Sequence, residues 1–185
     1  MAYKALPDLE LLRKLLDYDP ETGLLFWRAR PVEMFPNKSK AKRWNTRYAG
    51  KRAGNTKAYQ KGYFAVCILS KNYPVHRILW ALHTGKDPQN QIDHINGNPG
   101  DNRLCNLREV NQVENSKNQK IPKNNTSGYI GVSFRKANNE WVAYISVQKR
   151  IHLGGFRTKE AAIAARKDAE RRYGFHPNHG RGSST

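Results

Sequence analysis

Side chains that can transfer a proton or bind a metal ion occur close together in the sequence between residues 91 and 118. Asp93 and His94 are adjacent, and Asn115 follows twenty-one residues after His94. Hydrolysis of a phosphodiester needs a base that takes a proton from water and a hard cation, held by oxygen ligands, that stabilises the charge on the phosphate. Neutral imidazole suits the base near neutral pH, and carboxylate and amide oxygens suit Mg²⁺. These three residues therefore favour metal-assisted phosphodiester hydrolysis, with an ordinary polar turn as the alternative.

The surrounding sequence predicts the elements that must position this set. Residues 91–94 are predicted as a strand, Asn96-Gly97 favours a turn, and residues 104–110 are predicted as a second strand. Asn111 is a good helix N-cap with Glu114 three residues later, in the manner of a capping box, so Asn115 falls in the first helical turn. The pattern predicts a ββα unit whose polar residues point to one spot.

The same residues carry a resemblance to a known family. The Asp93-His94 pair, the run Asn106-Leu107-Arg108 and the pair Glu114-Asn115, together with the lead-in at 75–85 and 91–97, resemble the HNH homing endonucleases of the phage type. The resemblance covers roughly residues 15–120, and the spacing makes it far more specific than a lone His or Asn. The third letter of the motif is Asn here rather than His.

That resemblance implies a role for each residue. His94 would be the general base, and Asp93 and Asn115 would bind a single divalent metal ion, Mg²⁺ or Mn²⁺. Asn106 would hold the loop that orients His94. One such site on each chain implies nicking of double-stranded DNA by a monomer, or a double-strand break by a homodimer or by two successive nicks.

The charge of the chain independently indicates a polyanionic partner. Its 185 residues carry 33 Lys or Arg against 15 acids, a formal net charge of +18. Nucleic acid is favoured over a membrane surface because no apolar run approaches the roughly 20 residues of a membrane span. The N-terminal residues lack the layout of a signal peptide, so we expect a cytoplasmic protein that is not secreted. Cys67 and Cys105 are expected as buried thiols in a reducing cytosol.

Residues 28–61 form the most basic segment, with eleven Lys or Arg and one acid, Glu33. A like-charge run of this density is predicted to be an extended or flexible arm that neutralises phosphates, with a solvated loop as the alternative. The candidate DNA contacts in and near this segment are Arg28, Arg30, Lys42, Arg43, Arg47, Lys51, Arg52 and Arg77.

Residues 128–174 are predicted as three strands followed by a helix that Thr158 caps and Gly174 ends. The module resembles the AP2 domain, a three-stranded sheet that reads DNA and packs on one helix. The residues that carry the resemblance are Gly131-Val132, Arg135, Trp141-Val142-Ala143, Ile145, Leu153-Gly154, Phe156 and the helix start Glu160-Ala161-Ala162. Family arginines are Ser133 and Ser146 here, so base specificity does not transfer. The implied DNA contacts are Arg135, Lys136, Trp141, Lys149, Arg150 and Arg157, with a core position as the alternative for Trp141.

Together these patterns predict an α+β chain with a ββα-metal HNH core and a small AP2-like sheet and helix. The expected domains are residues 1–61 (N-terminal helix, strand and basic arm), 62–121 (nuclease core), 122–127 (linker), 128–177 (AP2-like module) and 178–185 (disordered tail). The function expected is a site-specific, homing-type DNA endonuclease. One alternative is a non-cleaving DNA-binding regulator that uses the AP2-like module. Another is a general nucleic-acid-binding protein.

Overall fold

The computed structural model of the protein describes residues 5–54 and 62–182, and these form a mixed α and β structure with small sheets and five α-helices. The chain divides into two compact units between Glu109 and Val110. This division precedes the linker predicted at 122–127. Consequently the basic segment shares a unit with Asp93 and His94, whereas Asn115 lies in the second unit.

The first unit begins with a leucine-rich helix and a small antiparallel sheet. Helix α1 (Leu9–Leu15) is capped by Asp8, whose side chain accepts hydrogen bonds from two backbone N–H groups. The chain then enters strands β1 (Leu16–Asp19) and β2 (Leu24–Trp27), and later pairs β3 (Arg52–Ala53) against β2. The leucine-rich helix ends at Leu15, because Leu16 buries against the core when residues 16–19 pair with β2.

The predicted flexible arm is folded, which corrects that expectation. Helix α2 (Lys38–Tyr48) runs through the basic segment, and the side chain of Asn37 caps its first turn. Its inner face carries Trp44, whose ring lies 5.7 Å from Trp27 and 5.2 Å from Tyr48 between centroids. Aromatic packing on one face stabilises the helix in spite of the charge on the other. The part of the predicted arm at 55–61 lies outside the described residues.

The rest of the first unit leads to the candidate site. Strands β4 (Ala65–Ile68) and β5 (Lys71–Pro74) form a hairpin, and helix α3 (Val75–Thr84) follows directly and ends at Gly85 in the left-handed conformation. The hairpin turns at Leu69 and Ser70, both at positive φ. Strands β6 (Gln91–His94) and β7 (Leu107–Val110) then form a two-stranded sheet.

The apolar core of the first unit joins α1, β2, β4 and α3. Leu12, Leu25, Ile78 and Leu79 are almost fully buried within it. Cys67 lies outside this core on the exposed side of β4, and Cys105 is exposed in the short 3₁₀ turn before β7. The expectation of two buried thiols is therefore wrong, because an apolar neighbourhood in sequence does not fix which face of a strand a residue takes.

The second unit contains a short helix, a three-stranded antiparallel sheet and a long helix. Helix α4 (Gln112–Ser116) begins at the predicted capping box of Asn111 and Glu114. Strands β8 (Val132–Arg135), β9 (Glu140–Ser146) and β10 (Arg150–Phe156) form the sheet in the order β10-β9-β8, and α5 (Lys159–Arg172) packs on it. Thr158 caps α5, as predicted, and Gly174 beyond its end has positive φ.

Residues 178–182 of the predicted disordered tail are held by hydrogen bonds, and residues 183–185 lie outside the described residues. The guanidinium of Arg181 donates to the backbone and side-chain oxygens of Asn118, and the Gly180 N–H donates to the Gln119 carbonyl. These bonds fasten the tail to the segment after α4. Within the described residues, none of the helices has the length and apolar character to cross a membrane.

Candidate active site

His94 ends β6, and a buried asparagine holds its ring. The ring is 3 % exposed, and its Nε2 lies 3.0 Å from Oδ1 of Asn102, which is itself 4 % exposed. Because an amide oxygen can only accept, Nε2 carries the hydrogen, and the lone pair of the neutral ring is on Nδ1. Asn102 thus sets both the orientation and the tautomer of the imidazole.

Burial and neighbouring charges shift the pKa of His94 in opposite directions. Burial lowers the pKa of the imidazole below its usual value, and the hydrogen bond to Asn102 and the carboxylates of Asp93 and Asp101 partly offset this effect. The net shift favours the neutral ring at neutral pH, which is the form that accepts a proton.

Two further aromatic rings surround His94. The ring of His76, from the first turn of α3, lies 5.2 Å from the His94 ring in an edge-on arrangement, and Tyr63 lies 5.7 Å from it. Burial, followed by the effects of His94 and Arg77, lowers the pKa of His76 to about 3. His76 is therefore a neutral packing partner of the candidate base at neutral pH.

Asn106 organises the loop between β6 and β7. Its Oδ1 accepts from the Asn96 N–H, and its Nδ2 donates to Asn96 Oδ1 and to the Asp101 carbonyl. Asp101 is further fixed by Arg103, whose guanidinium donates to both carboxylate oxygens at 2.8 and 2.7 Å. Those hydrogen bonds lower the pKa of Asp101 to about 2. The loop that carries Asn102 is thereby fastened at both ends.

The β1–β2 turn supports the same loop from outside. Gly23, at φ +68°, packs so closely on the backbone of Asn102 that an added Cβ would lie 2.3 Å from the Asn102 carbonyl carbon. The Leu104 N–H also donates to the Pro20 carbonyl in that turn. The β1–β2 turn therefore also holds the segment that orients His94.

The candidate metal ligands have different surroundings. Oδ2 of Asp93 accepts two hydrogen bonds from the Arg108 guanidinium, at 3.1 and 2.9 Å, and the Asp93 side chain is 12 % exposed. Asn115 lies in α4, where its backbone carbonyl accepts the N–H groups of Lys117 and Asn118. A carboxylate oxygen and an amide oxygen are ligands that suit Mg²⁺. This ion commonly keeps several water ligands and also binds the phosphate of a substrate. No group of three or more His, Cys, Asp or Glu lies close enough to hold a metal among residues 5–54 and 62–182.

The structure corrects two of the predicted DNA contacts. Arg77 is 4 % exposed, and its guanidinium donates to the carbonyls of Pro88 and Asn90 and to Asp87, so it supports that loop from inside. Trp141 packs against the core between the second sheet and α5, so it lies on the helix side of that sheet. The sequence identified a cation and an aromatic ring, but not the face of the element on which each lies.

Some of the other DNA contacts predicted in the first unit have side chains bound to the rest of the protein, and others are exposed. Arg28 donates to the Arg13 carbonyl, and the Arg30 guanidinium lies 3.8 Å from the centre of the Trp44 ring, which gives it a structural role. Arg28 is exposed in spite of this bond, and the predicted contacts Lys42, Arg43, Arg47, Lys51 and Arg52 are exposed as well.

In the second unit the predicted cations are exposed. Arg135 and Arg150 lie on the face of the sheet opposite α5, because their cross-strand partners Glu140 and Ser146 alternate with residues that face the core. Arg150 stacks over the Tyr144 ring at 3.6 Å. Lys136, Lys149 and Arg157 are also exposed.

Sequence reasoning missed Asn102, His76 and Tyr63 as neighbours of His94. Asn102 was visible as part of the Asp101-Asn102-Arg103 run, but nothing in that run says which polar side chain turns inward. Its pairing with His94 depends on the loop conformation that Asn106 and the β1–β2 turn impose.

The segment that carries His94 and Asn102 also matches a known protein family. Residues 73–117, which include α3, the His94 loop and α4, match the family model described as HNH endonuclease. This segment is therefore an HNH endonuclease domain.

The chain belongs to the family of protein 3.8 of Escherichia phage T7, to which it is 38 % identical over 86 residues. The matched region covers 46 % of this chain and 69 % of the phage protein. No solved structure matches the chain.

Proposed function

We propose that this protein is a site-specific DNA endonuclease of the homing type, in which His94 is the general base and Asp93 and Asn115 hold one Mg²⁺ or Mn²⁺ ion. The observation that carries the proposal is the buried His94–Asn102 hydrogen bond beside Asp93, inside the segment that matches the HNH endonuclease family. The phage relative supports a phage-encoded enzyme that acts in the host cytoplasm.

Each of the candidate residues has a separate role in the proposed reaction. With Nε2–H donated to Asn102, the His94 ring takes the proton of the attacking water at Nδ1. Asn106 keeps the loop, and through it Asn102, in the conformation that holds the ring. A bound divalent ion would supply charge stabilisation to the phosphate and to the leaving 3′ oxygen. The products would carry a 5′-phosphate and a 3′-hydroxyl.

The face of the second sheet opposite α5 is proposed as an additional DNA-contacting surface, in the manner of an AP2 domain. Arg135, Arg150 and the nearby exposed Lys136 and Lys149 supply positive charge there. Such a module would increase the affinity of the nuclease for its target by holding the same duplex at a second point. Monomeric and homodimeric complexes on DNA both fit one candidate active site on each chain.

A non-cleaving DNA-binding regulator is the second candidate function. The observation that favours it is the ion pair between Asp93 and Arg108, because a guanidinium on Oδ2 competes with a metal ion for that carboxylate. The two functions differ in the effect of metal. A nuclease cuts a supercoiled plasmid in Mg²⁺ or Mn²⁺ and not in EDTA, whereas a regulator binds DNA in both buffers and cuts in neither.

A further inference from the structure

We propose that α2 is a DNA-recognition helix that lies in the major groove of the target duplex, with Arg43 facing base edges and lysines on both flanks facing phosphates. The inference rests on the proposed function, since it takes duplex DNA as the substrate. It goes further by assigning sequence readout to a helix of the first unit.

The inner face of α2 fixes the helix to the protein. Ala41 is buried, and Trp44 packs edge-on against Trp27. The side chain of Asn45 accepts from the Arg30 N–H and donates to the Arg30 carbonyl, both at 2.9 Å. A helix held by an aromatic contact and a two-way amide clamp can present its outer side chains in a defined geometry.

The outer face of α2 carries only positive charge and small hydroxyl groups. No acid occurs in the helix, and within the described parts of the chain none of its basic side chains forms a salt bridge. A solvated helix face usually mixes both signs of charge, and cations near a helix N-terminus oppose the helix dipole. The exposed residues are Lys38, Ser39, Lys40, Lys42, Arg43, Thr46 and Arg47.

The order of these residues around the helix matches what a DNA groove presents. At about 100° per residue, Lys38 and Lys42 lie along one flank, and Lys40 and Arg47 lie along the other. Ser39, Thr46 and Arg43 fall between the flanks. A helix in the major groove meets a phosphate backbone on each side and base edges in the middle, and a helix lying along one strand would need cations on one flank only.

The size of α2 is also sufficient. Its 11 residues span about 16 Å, and the major groove is roughly 12 Å wide. Arg contacts guanine O6 and N7 with two hydrogen bonds, and Ser and Thr hydroxyls accept and donate to base edges. The central residues therefore have the chemistry of direct readout, and the flanking residues have that of positioning.

The inference is tested by binding measurements with the full chain in EDTA, so that no strand is cut. A random-sequence duplex library gives the preferred site, and fluorescence anisotropy on a short labelled duplex of that site gives affinity against salt. Arg43→Ala is expected to lose the preference at one base pair, with a change in discrimination of about 5- to 100-fold. The triple variant Lys38→Ala, Lys40→Ala, Lys42→Ala is expected to keep the preferred sequence. Its slope of log affinity against log salt should fall by about 2 to 3.

A matched control removes the same charge elsewhere in the first unit, with Lys14, Lys71 and Lys86, all exposed, changed to Ala. Thermal unfolding of every variant confirms that the fold is kept, as expected for exposed positions. The proposal is overturned if the wild type shows no base preference, if Arg43→Ala keeps the wild-type preference, or if the α2 triple and the control triple change the salt slope equally. A protein that binds in this way but does not cut in Mg²⁺ fails the proposed function and keeps this inference.

Discussion

At the scale of single residues, the proposed chemistry depends on how Asn102 holds His94. The hydrogen bond is buried and joins an amide oxygen to Nε2, so the proton on the neutral ring is assigned to that nitrogen. A base whose tautomer is fixed by a neighbour needs no rearrangement before it accepts a proton at the other nitrogen. Asn102 is thus proposed as a positioning residue.

Replacing Asn102 with Leu, which has a similar shape and no acceptor, is expected to lower the rate of cleavage by about 10- to 100-fold. The apparent affinity for DNA should stay near the wild-type value, because Asn102 is buried and acts through His94. Nitrogen NMR of the His94 ring should show the Nε2–H tautomer in the wild type and a mixture in the variant. Asn102→Asp retains an acceptor and should retain the tautomer. An unchanged His94 tautomer in Asn102→Leu would contradict the role given to Asn102.

The lowered pKa of His76 predicts that the protein loses stability as the pH becomes acidic. Its pKa is about 3 in the folded chain and about 6.5 when unfolded, so below pH 6.5 the unfolded state binds more protons. The free energy of unfolding therefore falls as the pH is lowered from 6.5 towards 3, by at most about 2 kcal/mol between pH 6.5 and 5 for this one group. Above pH 6.5 the contribution of His76 is complete.

The variant His76→Phe keeps a ring beside Tyr63 and His94 and removes the titrating group. Urea unfolding at pH 7.5 and pH 5 should show a smaller loss of stability in the variant than in the wild type. Equal losses in both proteins would mean that the folded-state pKa of His76 is not depressed.

At the scale of elements, the β1–β2 turn supports the loop that orients His94. A glycine substitution in this turn can test that support. Gly23→Ala introduces strain at positive φ and a clash with the Asn102 backbone. Gly50→Ala is the control, because Gly50 has φ +73° and nothing within 4 Å of an added Cβ. Gly50→Ala should cost about 1 kcal/mol of stability and leave cleavage near the wild-type rate.

Gly23→Ala should cost more stability than Gly50→Ala and should also lower cleavage at least about tenfold, because Asn102 has to move. Thermal unfolding and plasmid cleavage by both variants, compared at a temperature where both are folded, check this difference. Similar behaviour of the two variants would show that the turn does not support the loop.

Some of the helices and strands could be predicted from the sequence pattern, and others could not. The apolar spacing in 75–84, the capping box at Asn111 and the three strands before Thr158 were predictable, because each depends on local chemistry. The strand nature of residues 71–74 and the helix through the basic segment were not. Both depend on partners distant in sequence, namely β4 for the strand and Trp27 for the helix.

At the scale of the whole molecule, the net charge of +18 indicated a polyanionic partner without saying how the charge is arranged. The structure divides the cations by role. Arg77 and Arg166 are buried and bind carbonyl oxygens, and Arg30 stacks on aromatic rings, whereas the outer face of α2 is exposed. Composition predicts the partner class, and only burial identifies which cations are free to meet it.

The residues of the candidate site were proposed from the sequence alone. Asp93, His94, Asn106 and Asn115 came from spacing and family resemblance, and the geometry of the Asn106 loop agrees with the role expected for it. The roles of the four residues remain proposals. Asn102 and the Gly23 contact were not predictable, because a buried hydrogen bond between loop residues follows from the folded backbone and not from residue type.

The proposed metal-dependent cleavage of DNA requires His94 as its base. The most direct measurement incubates supercoiled plasmid carrying candidate target DNA with wild type and His94→Ala, each in Mg²⁺ and in EDTA, and measures DNA binding in parallel. Wild type should give nicked or linear product in Mg²⁺ only, and His94→Ala should bind DNA as tightly as wild type. Cleavage by His94→Ala at the wild-type rate, or tight binding by wild type without cleavage of any target in Mg²⁺ or Mn²⁺, would contradict the proposal.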